Sequence, residues 1–211
     1  MLIAIPSIHF KRWITNIDLD KFNIYWFDIL NKGHQYFKTD IIQITDWQSR
    51  KIAYIKGEYL LQQNFPFLFN SIETFIRITA NEKLNEIVNK YSIDIIHSFE
   101  MQNCTYPFLN FIQKKKTFWI YSCWGSDLFY YQNLPKHNKK IRNVLKNIDY
   151  LITDNKRDQN LARNLGFKGR NLAIIPGGGG LCTEKYVNLI KPFKDRNTII
   201  VKGYNLSLIH I

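Results

Sequence analysis

Short runs of apolar and β-branched residues alternate with longer segments of helical periodicity along most of this 211-residue chain. The clearest runs lie at residues 93–97, 117–123, 150–153 and 171–175. Helical segments between and before them lie at residues 106–115, 138–147 and 156–165. Parallel strands joined by crossover helices produce this alternation. The sequence therefore predicts an α/β domain built on a doubly wound parallel sheet.

The first part of the chain follows the same pattern with less regularity. We predict strands over residues 2–5 and 23–27, with a helix over residues 11–20 between them. From residue 67 to residue 90, apolar residues recur at three and four positions, which predicts one helix with a buried face. Residues 37–65 stay open, because their short apolar stretches fit a strand, a helix or a loop.

Composition excludes several classes of protein. With 45% apolar and 22% charged residues, the chain is globular rather than disordered or fibrous. Its three cysteines form no CxxC pair, so we expect no disulfide framework and no metal site. The apolar stretch that begins at Met1 meets Pro6 too early for a signal peptide, and no stretch approaches the roughly 20 residues of a membrane span. We expect a cytoplasmic protein.

The formal net charge of +12 makes the chain attractive to polyanions, whether nucleic acid, anionic lipid or a pyrophosphate-bearing substrate. The basic residues occur in short groups without a helix-turn-helix or RNA-binding signature. We therefore expect no nucleic-acid partner. Most of the charge is interpreted as solvated surface, which favours peripheral contact with an anionic membrane face.

Five predicted loops should meet at one edge of the sheet. In open parallel sheets, ligands bind in the crevice beyond the carboxyl ends of the strands. That rule selects Asp154 and residues 7–10, 97–100, 124–127 and 177–180. This edge is the candidate site.

The most unusual local feature is a run of four glycines directly after a predicted strand and Pro176, namely Gly177, Gly178, Gly179 and Gly180. Glycine permits close approach of another backbone or of a ligand, and four in succession cost backbone entropy. The alternative is a flexible link. No Gly-Lys-Ser/Thr follows, so the run is not a P-loop.

The loop of Trp124, Gly125, Ser126 and Asp127 offers a carboxylate and a hydroxyl that could grip sugar hydroxyls. Alternatively, Ser126 or Asp127 caps the next segment. No GxSxG or early GxGxxG motif is present, which argues against a hydrolase of that type and against a standard dehydrogenase.

Two histidines and a glutamate complete the candidate edge. His97 and Glu100 follow a predicted strand, where they could orient or deprotonate a hydroxyl. A hydrogen-bonded structural role is the alternative for His97. The same two interpretations apply to His9, which follows the first predicted strand.

In combination, residues 95–100, 124–128, 149–154 and 174–180 resemble family 4 glycosyltransferases of the GT-B fold, particularly bacterial enzymes that build surface polysaccharides. Residues 196–204 are similar to the first strand of that family's second domain. Cys123 and Trp124 stand where many members carry a histidine, and the usual asparagine-glycine turn is here all glycine.

This resemblance implies a Rossmann-like GT-B amino-terminal domain and a nucleotide-sugar-dependent enzyme. Such an enzyme transfers a sugar to a glycan or lipid-linked acceptor, usually with retention and without a bound metal or cofactor. His97 and Asp127 would be the catalytic groups. Binding roles would fall to His9, Glu100, Trp124, Gly125, Ser126, Asp154, Gly177, Gly178, Gly179, Gly180 and, in the donor half, Lys202.

The resemblance also implies a division of the chain. Residues 1–180 would be the acceptor-side domain, residues 181–197 an interdomain linker, and residues 198–211 the truncated start of the donor-binding domain. We expect such a fragment to be inactive alone. The rival interpretation is a non-catalytic Rossmann-like module that binds an anionic glycolipid or a partner.

Overall fold

A computed structural model of the protein describes residues 1–38, 40–114, 117–180 and 183–198. The chain forms two compact units, Met1–Gly180 and Leu181–Ile211. The described part of the second unit contains two short 3-10 helices, Thr183–Leu189 and Phe193–Asp195. Of residues 196–204, which are similar to the first strand of a second domain, residues 199–204 lie outside the described residues, and Lys202 is among them.

A seven-stranded sheet organises the first unit, and all its neighbouring strands are parallel. The strands are β1 (Leu2–Ala4), β2 (Tyr25–Asp28), β3 (Ile42–Ile44), β4 (Ile95–Phe99), β5 (Phe118–Ser122), β6 (Tyr150–Thr153) and β7 (Arg170–Ile174). Their order is β3-β2-β1-β4-β5-β6-β7, so the winding reverses between β1 and β4. The predicted doubly wound, Rossmann-like α/β fold is confirmed.

Eight α-helices connect or flank the strands in the described part of this unit. They are α1 (Ile8–Ile14), α2 (Glu58–Asn64), α3 (Pro66–Ile76), α4 (Ala80–Tyr91), α5 (Leu109–Lys114), α6 (Ser126–Phe129), α7 (Pro135–Leu145) and α8 (Lys156–Asn164). Short 3-10 turns precede α5 and α7, at Tyr106–Phe108 and Tyr131–Asn133. Among the described residues, no helix has both the length and the apolar character that crossing a membrane requires.

The sheet separates two hydrophobic clusters, because successive side chains of a strand point to opposite faces. Ile3 and Phe27 belong to the larger cluster, which α4, α5, α7 and α8 help to build. Leu2, Ala4 and Trp26 belong to the smaller cluster, which α1 covers. All five side chains are buried. Burial on both faces explains why the strands appear in the sequence as continuous apolar runs.

The predicted single helix over residues 67–90 is wrong, because the structure has two helices there. α3 ends at Ile76 and α4 begins at Ala80. Thr79 closes a capping box with Glu82: the Thr79 hydroxyl accepts a hydrogen bond from the Glu82 N–H at 3.3 Å, and the Glu82 carboxylate accepts one from the Thr79 N–H at 2.8 Å. These bonds satisfy two amide donors at the start of α4, so a new helix begins at that point.

Two further boundaries differ from the predictions. The predicted helix over residues 11–20 begins earlier, at Ile8, because the Ser7 hydroxyl caps it by accepting a hydrogen bond from the Phe10 N–H at 3.1 Å. It ends at Ile14. The predicted strand over residues 93–97 continues to Phe99. His97 therefore lies inside a strand rather than at its end.

Replacing Thr79 with alanine should lower the free energy of unfolding by about 1 kcal/mol, because it removes the capping hydroxyl of α4. Urea denaturation followed by circular dichroism measures the change. Thr74→Ala is the control, since Thr74 is an exposed residue within α3. Equal destabilisation by the two variants would contradict the capping role.

Candidate functional site

Four of the five predicted loops contribute to one cluster at the carboxyl edge of the sheet. The His9 ring meets the Trp124 ring edge-on, with centroids 6.4 Å apart. The Gly177 N–H donates a hydrogen bond to Oδ1 of Asp154 at 2.8 Å. A Cβ added to Gly177 would lie 2.6 Å from Cδ1 of Trp124, so the glycine backbone touches the indole ring. We call His9, Trp124, Asp154 and Gly177 the rim cluster.

The Asp154 carboxylate is the acidic group of this cluster. It follows β6 and is half-buried. Burial raises the pKa of Asp154, while the hydrogen bond from Gly177 lowers it. A Cβ on Gly125 would lie 3.8 Å from Oδ2, so Gly125 leaves room beside the carboxylate. A partly exposed carboxylate can accept hydrogen bonds from a polar ligand.

The glycine run is packed against the domain rather than extended away from it. Gly179 has a φ of +75°, and a Cβ there would lie 2.6 Å from the backbone N of Trp13. Asn16 Nδ2 donates a hydrogen bond to the Gly179 carbonyl at 3.2 Å. A Cβ on Gly178 would come no nearer than 3.7 Å to His9 Nδ1. Close approach, rather than flexibility, accounts for Gly177 and Gly179.

Asp127 is buried and holds two loops together. Its Oδ2 accepts hydrogen bonds from the Met101 N–H at 3.0 Å and the Tyr121 hydroxyl at 2.7 Å. Its Oδ1 accepts from the Cys123 thiol at 3.1 Å and the Trp124 N–H at 3.0 Å. Burial raises the pKa of Asp127 to about 6, against the effect of these donors. The Asp127 carboxylate is therefore buried beneath the edge of the sheet, where it holds the backbone of Trp124 in place.

His97 lies on the sheet face that α1 covers. Its Nε2 is 2.7 Å from the Ser122 hydroxyl, its ring stacks on Phe99 at 4.2 Å, and Trp13 meets it edge-on at 5.1 Å. Burial lowers the pKa of His97 to about 3, so the imidazole is neutral. His97 also lines a cavity of about 770 Å³ that reaches Met1, at the amino-terminal ends of the strands. The prediction that His97 belongs to the carboxyl edge is wrong.

Glu100 and Ser126 occupy the edge without joining the rim cluster. The Glu100 carboxylate accepts hydrogen bonds from the N–H groups of Gln102 at 2.8 Å and Asn103 at 2.7 Å, so it closes its own turn. Its φ of +76° is unusual for a residue with a side chain. Ser126 is exposed and begins α6, while Gly125, with a φ of +74°, occupies the capping position. The side chain of neither Ser126 nor Asp127 caps α6. Asp127 accepts a hydrogen bond from the Trp124 N–H, which precedes the helix.

Sequence reasoning missed the contribution of α1. Asn16 and Trp13 contact the glycine run, and Arg12 lies against Gly179. The signal was available, because a helix capped by Ser7 places His9 and residues 12 and 13 on one face at spacings of three and four, and Asn16 follows in the next turn of chain. The predicted helix began too late to show that face. Within the described ranges, no group of three His, Cys, Asp or Glu residues is placed to hold a metal ion.

Asp127→Asn should destabilise the domain by about 2–4 kcal/mol, because an amide NH₂ would then face donors that now meet a carboxylate oxygen. Thermal and urea denaturation measure the loss. Asp18→Asn is the matched control, since the exposed Asp18 carboxylate pairs with Lys21 at 2.7 Å and accepts a hydrogen bond from the Asp20 N–H at 3.2 Å, and its loss should change stability by no more than about 0.5 kcal/mol. A neutral effect of Asp127→Asn would contradict the positioning role.

The glycine run offers a second internal comparison. Gly179 and Gly180 have nearly the same φ, +75° and +72°, but only Gly179 has atoms in the way of a Cβ. Gly180→Ala should therefore lower the free energy of unfolding by about 1 kcal/mol, because alanine is strained in the left-handed backbone conformation. Gly179→Ala should cost at least twice that, because the methyl group would strike α1. Equal, near-zero effects in urea denaturation would restore the flexible-link interpretation.

Comparisons with known proteins agree with this geometry. The chain is similar to a solved structure of sucrose-phosphate synthase from Thermosynechococcus elongatus, with 15% sequence identity and a TM-score of 0.51. The match covers 82% of this chain and 86% of that one. At such low identity the likeness supports the fold alone. No curated protein sequence gives a significant match.

The sequence also matches a family model, over residues 1–155. That range is well over half of the chain and includes His9, Trp124 and Asp154. The model describes glycosyl transferase 4-like proteins. The chain therefore belongs to the glycosyl transferase 4-like family.

Proposed function

We propose that this chain forms the acceptor side of a glycosyltransferase that moves a sugar from a nucleotide-sugar donor to a glycan or lipid-linked acceptor. The rim cluster carries the proposal, since it gathers an aromatic ring, a carboxylate and an imidazole around Gly177 at the carboxyl edge of a doubly wound sheet. That edge is where ligands bind in such sheets. Family membership supports sugar transfer as the reaction class.

Three members of the rim cluster, together with the neighbouring Gly178, have tasks in holding a sugar. Trp124 is half-buried and offers part of its apolar ring, while Asp154 offers charged acceptors for hydroxyl groups. His9 is exposed and can donate or accept a hydrogen bond. Gly178 leaves its backbone open to a ligand. Pockets for small polar molecules commonly combine an apolar wall with a few convergent polar groups.

The proposal assigns different work to the two residues first expected to be catalytic. Asp127 and His97 are buried, and their hydrogen bonds are made within the protein. We therefore propose that Asp127 positions the Trp124 loop and that His97 supports the sheet beneath it. Direct contact with the acceptor or transferred sugar is assigned to Asp154 and His9.

Charge on the leaving diphosphate would have to be stabilised electrostatically. Arg12 is an exposed basic side chain against the glycine run, and it could supply part of that charge. The proposal includes retention of configuration, a donor half that supplies the nucleotide contacts, and no resident cofactor. It places the reaction in cell-surface polysaccharide synthesis, in the cytoplasm at the inner face of the membrane, where the charge of +12 favours peripheral contact with anionic lipid.

A transfer assay with a panel of nucleotide sugars, on the whole polypeptide that the gene encodes, tests the proposal. Asp154→Asn should lower kcat/KM by about 100-fold, because the charge is lost while one side-chain oxygen remains for Gly177. Asp149→Asn is the matched control at the other end of β6, where the carboxylate accepts a hydrogen bond from the Trp119 N–H at 2.7 Å.

Asp149→Asn should leave kcat/KM close to that of the wild type. Equal losses in both variants would show that Asp154 acts on stability rather than on substrate. Absence of transfer from every nucleotide sugar would overturn the proposal and favour the binding module for an anionic glycolipid or a partner.

A further inference from the structure

The exposed charged side chains of α7 are all basic. They are Lys136, Lys139, Lys140, Arg142 and, directly after the helix, Lys146. We call these five cations the α7 surface. At 3.6 residues per turn they lie within an arc of about 160°. Ile141, Val144 and Leu145, on the opposite side of the helix, are buried. The sequence has no acidic residue between Asp127 and Asp149, so one whole side of this helix carries a single sign of charge.

The packing around α7 leaves these cations without acidic partners. α7 packs against α5 and against the 3-10 turns Tyr106–Phe108 and Tyr131–Asn133, and none of these three elements contains an acidic residue. Among the described residues, no ion pair joins a carboxylate to a cation of the α7 surface. Arg142 Nε donates instead to the neutral Asn138 side chain, at 2.8 Å from Oδ1. That contact leaves the positive charge in place.

Many other cations of the domain are neutralised. Ion pairs with nitrogen–oxygen distances of 2.6–3.4 Å join Lys21 to Asp18, Arg50 to Glu58, Lys51 to Glu82, Arg77 to Glu73, Lys83 to Glu86 and Arg157 to Asp158. On α7, residues 136 and 140 and residues 142 and 146 instead place like charges four positions apart, which destabilises a helix. An anionic partner would replace this repulsion with attraction.

Exposed apolar side chains adjoin the α7 surface at its amino-terminal end. Tyr130 and Leu134 expose 58% and 37% of their surface. Leu134 directly precedes Pro135, the first residue of α7. The row of cations from residue 136 to residue 146 extends about 15 Å along one side of the helix, so all five can approach a flat anionic surface. A bilayer offers such a surface, together with an apolar layer that a nucleic-acid backbone lacks.

We propose that the α7 surface docks the protein on an anionic lipid bilayer, with its cations among the headgroup phosphates and Tyr130 and Leu134 at the boundary with the acyl chains. Tyrosine suits that boundary, because its ring is apolar and its hydroxyl polar. α6 begins two residues after Trp124, so this apolar margin follows the loop that supplies the rim cluster. Docking through α7 would bring that loop towards the lipid. The inference rests on the membrane contact in the proposed function but not on the reaction itself.

Vesicle flotation without any sugar donor tests this inference. The protein is mixed with vesicles of phosphatidylcholine alone, or of phosphatidylcholine with phosphatidylglycerol, and wild-type protein should float with the anionic vesicles only. Combining Lys136→Gln, Lys139→Gln and Lys140→Gln should weaken that binding by about 100-fold, because each basic residue near an anionic membrane contributes a factor of about five. Glutamine is a good helix former, so circular dichroism should show an unchanged fold.

The matched control combines Lys32→Gln, Lys38→Gln and Lys56→Gln, which removes the same net charge from exposed lysines outside the α7 surface. This control should bind anionic vesicles within about threefold of the wild type. Combining Tyr130→Asn with Leu134→Asn should weaken binding about tenfold, because two apolar side chains no longer leave water.

Equal weakening by the two triple variants would overturn the inference, because net charge alone would then explain the binding. Absence of vesicle binding by the wild type would also overturn it. So would tighter binding to duplex DNA or RNA than to anionic vesicles, if the Lys136, Lys139 and Lys140 changes abolish it. A negative flotation assay and a negative sugar-transfer assay contradict different proposals, since no donor is present in the first.

Discussion

The pairing of β1 with both β2 and β4 is the constraint on which the rest of the structure depends. β1 has only three residues, and all are buried. It pairs with β2 on one side and with β4 on the other, and the later strands follow outward on each side. The connections that leave β1 and β4 therefore pass to opposite faces of the sheet. That divergence opens the crevice at their carboxyl ends. α1 follows β1 directly, so His9, near the start of α1, lies at the crevice beside the carboxyl end of β1.

A second constraint works at the level of one side chain. The loop after β5 and the segment after β4 have no regular structure to hold them, yet Asp127 accepts hydrogen bonds from both. Burying a carboxylate is costly unless it is well hydrogen-bonded, and four donors meet that requirement. The consequence is a fixed Trp124 ring, against which Gly177 can pack without a Cβ. The rim cluster thus depends on a carboxylate that itself has little contact with solvent.

The sequence predicted most of the sheet because its strands are buried on both faces and so appear as apolar runs. Residues 150–153 were predicted with the bounds that β6 has. The capping box at Thr79 was readable from its residues, but the continuous apolar periodicity around it concealed the break. The contact of Gly179 with α1 could not be predicted, because it joins residues more than 160 positions apart through backbone geometry. Nothing local in four glycines distinguishes a packed turn from a link.

The same limit explains why the roles that we propose for Asp127 and His97 differ from those expected from the sequence. The resemblance to family 4 glycosyltransferases implied catalytic roles for Asp127 and His97 because of their positions on predicted strand-end loops. Burial decides whether such a group is available, and it does so through neighbours that the sequence does not reveal. Asp127 directs its oxygens to inward donors, and the His97 imidazole is neutral between Ser122 and aromatic rings. Asp127 lies in α6, whereas Asp154 directly follows β6, which ends at Thr153, and its carboxylate lies half-buried at the edge. The same residue type thus serves structure when it lies beneath the edge and can meet a ligand when it lies on the edge.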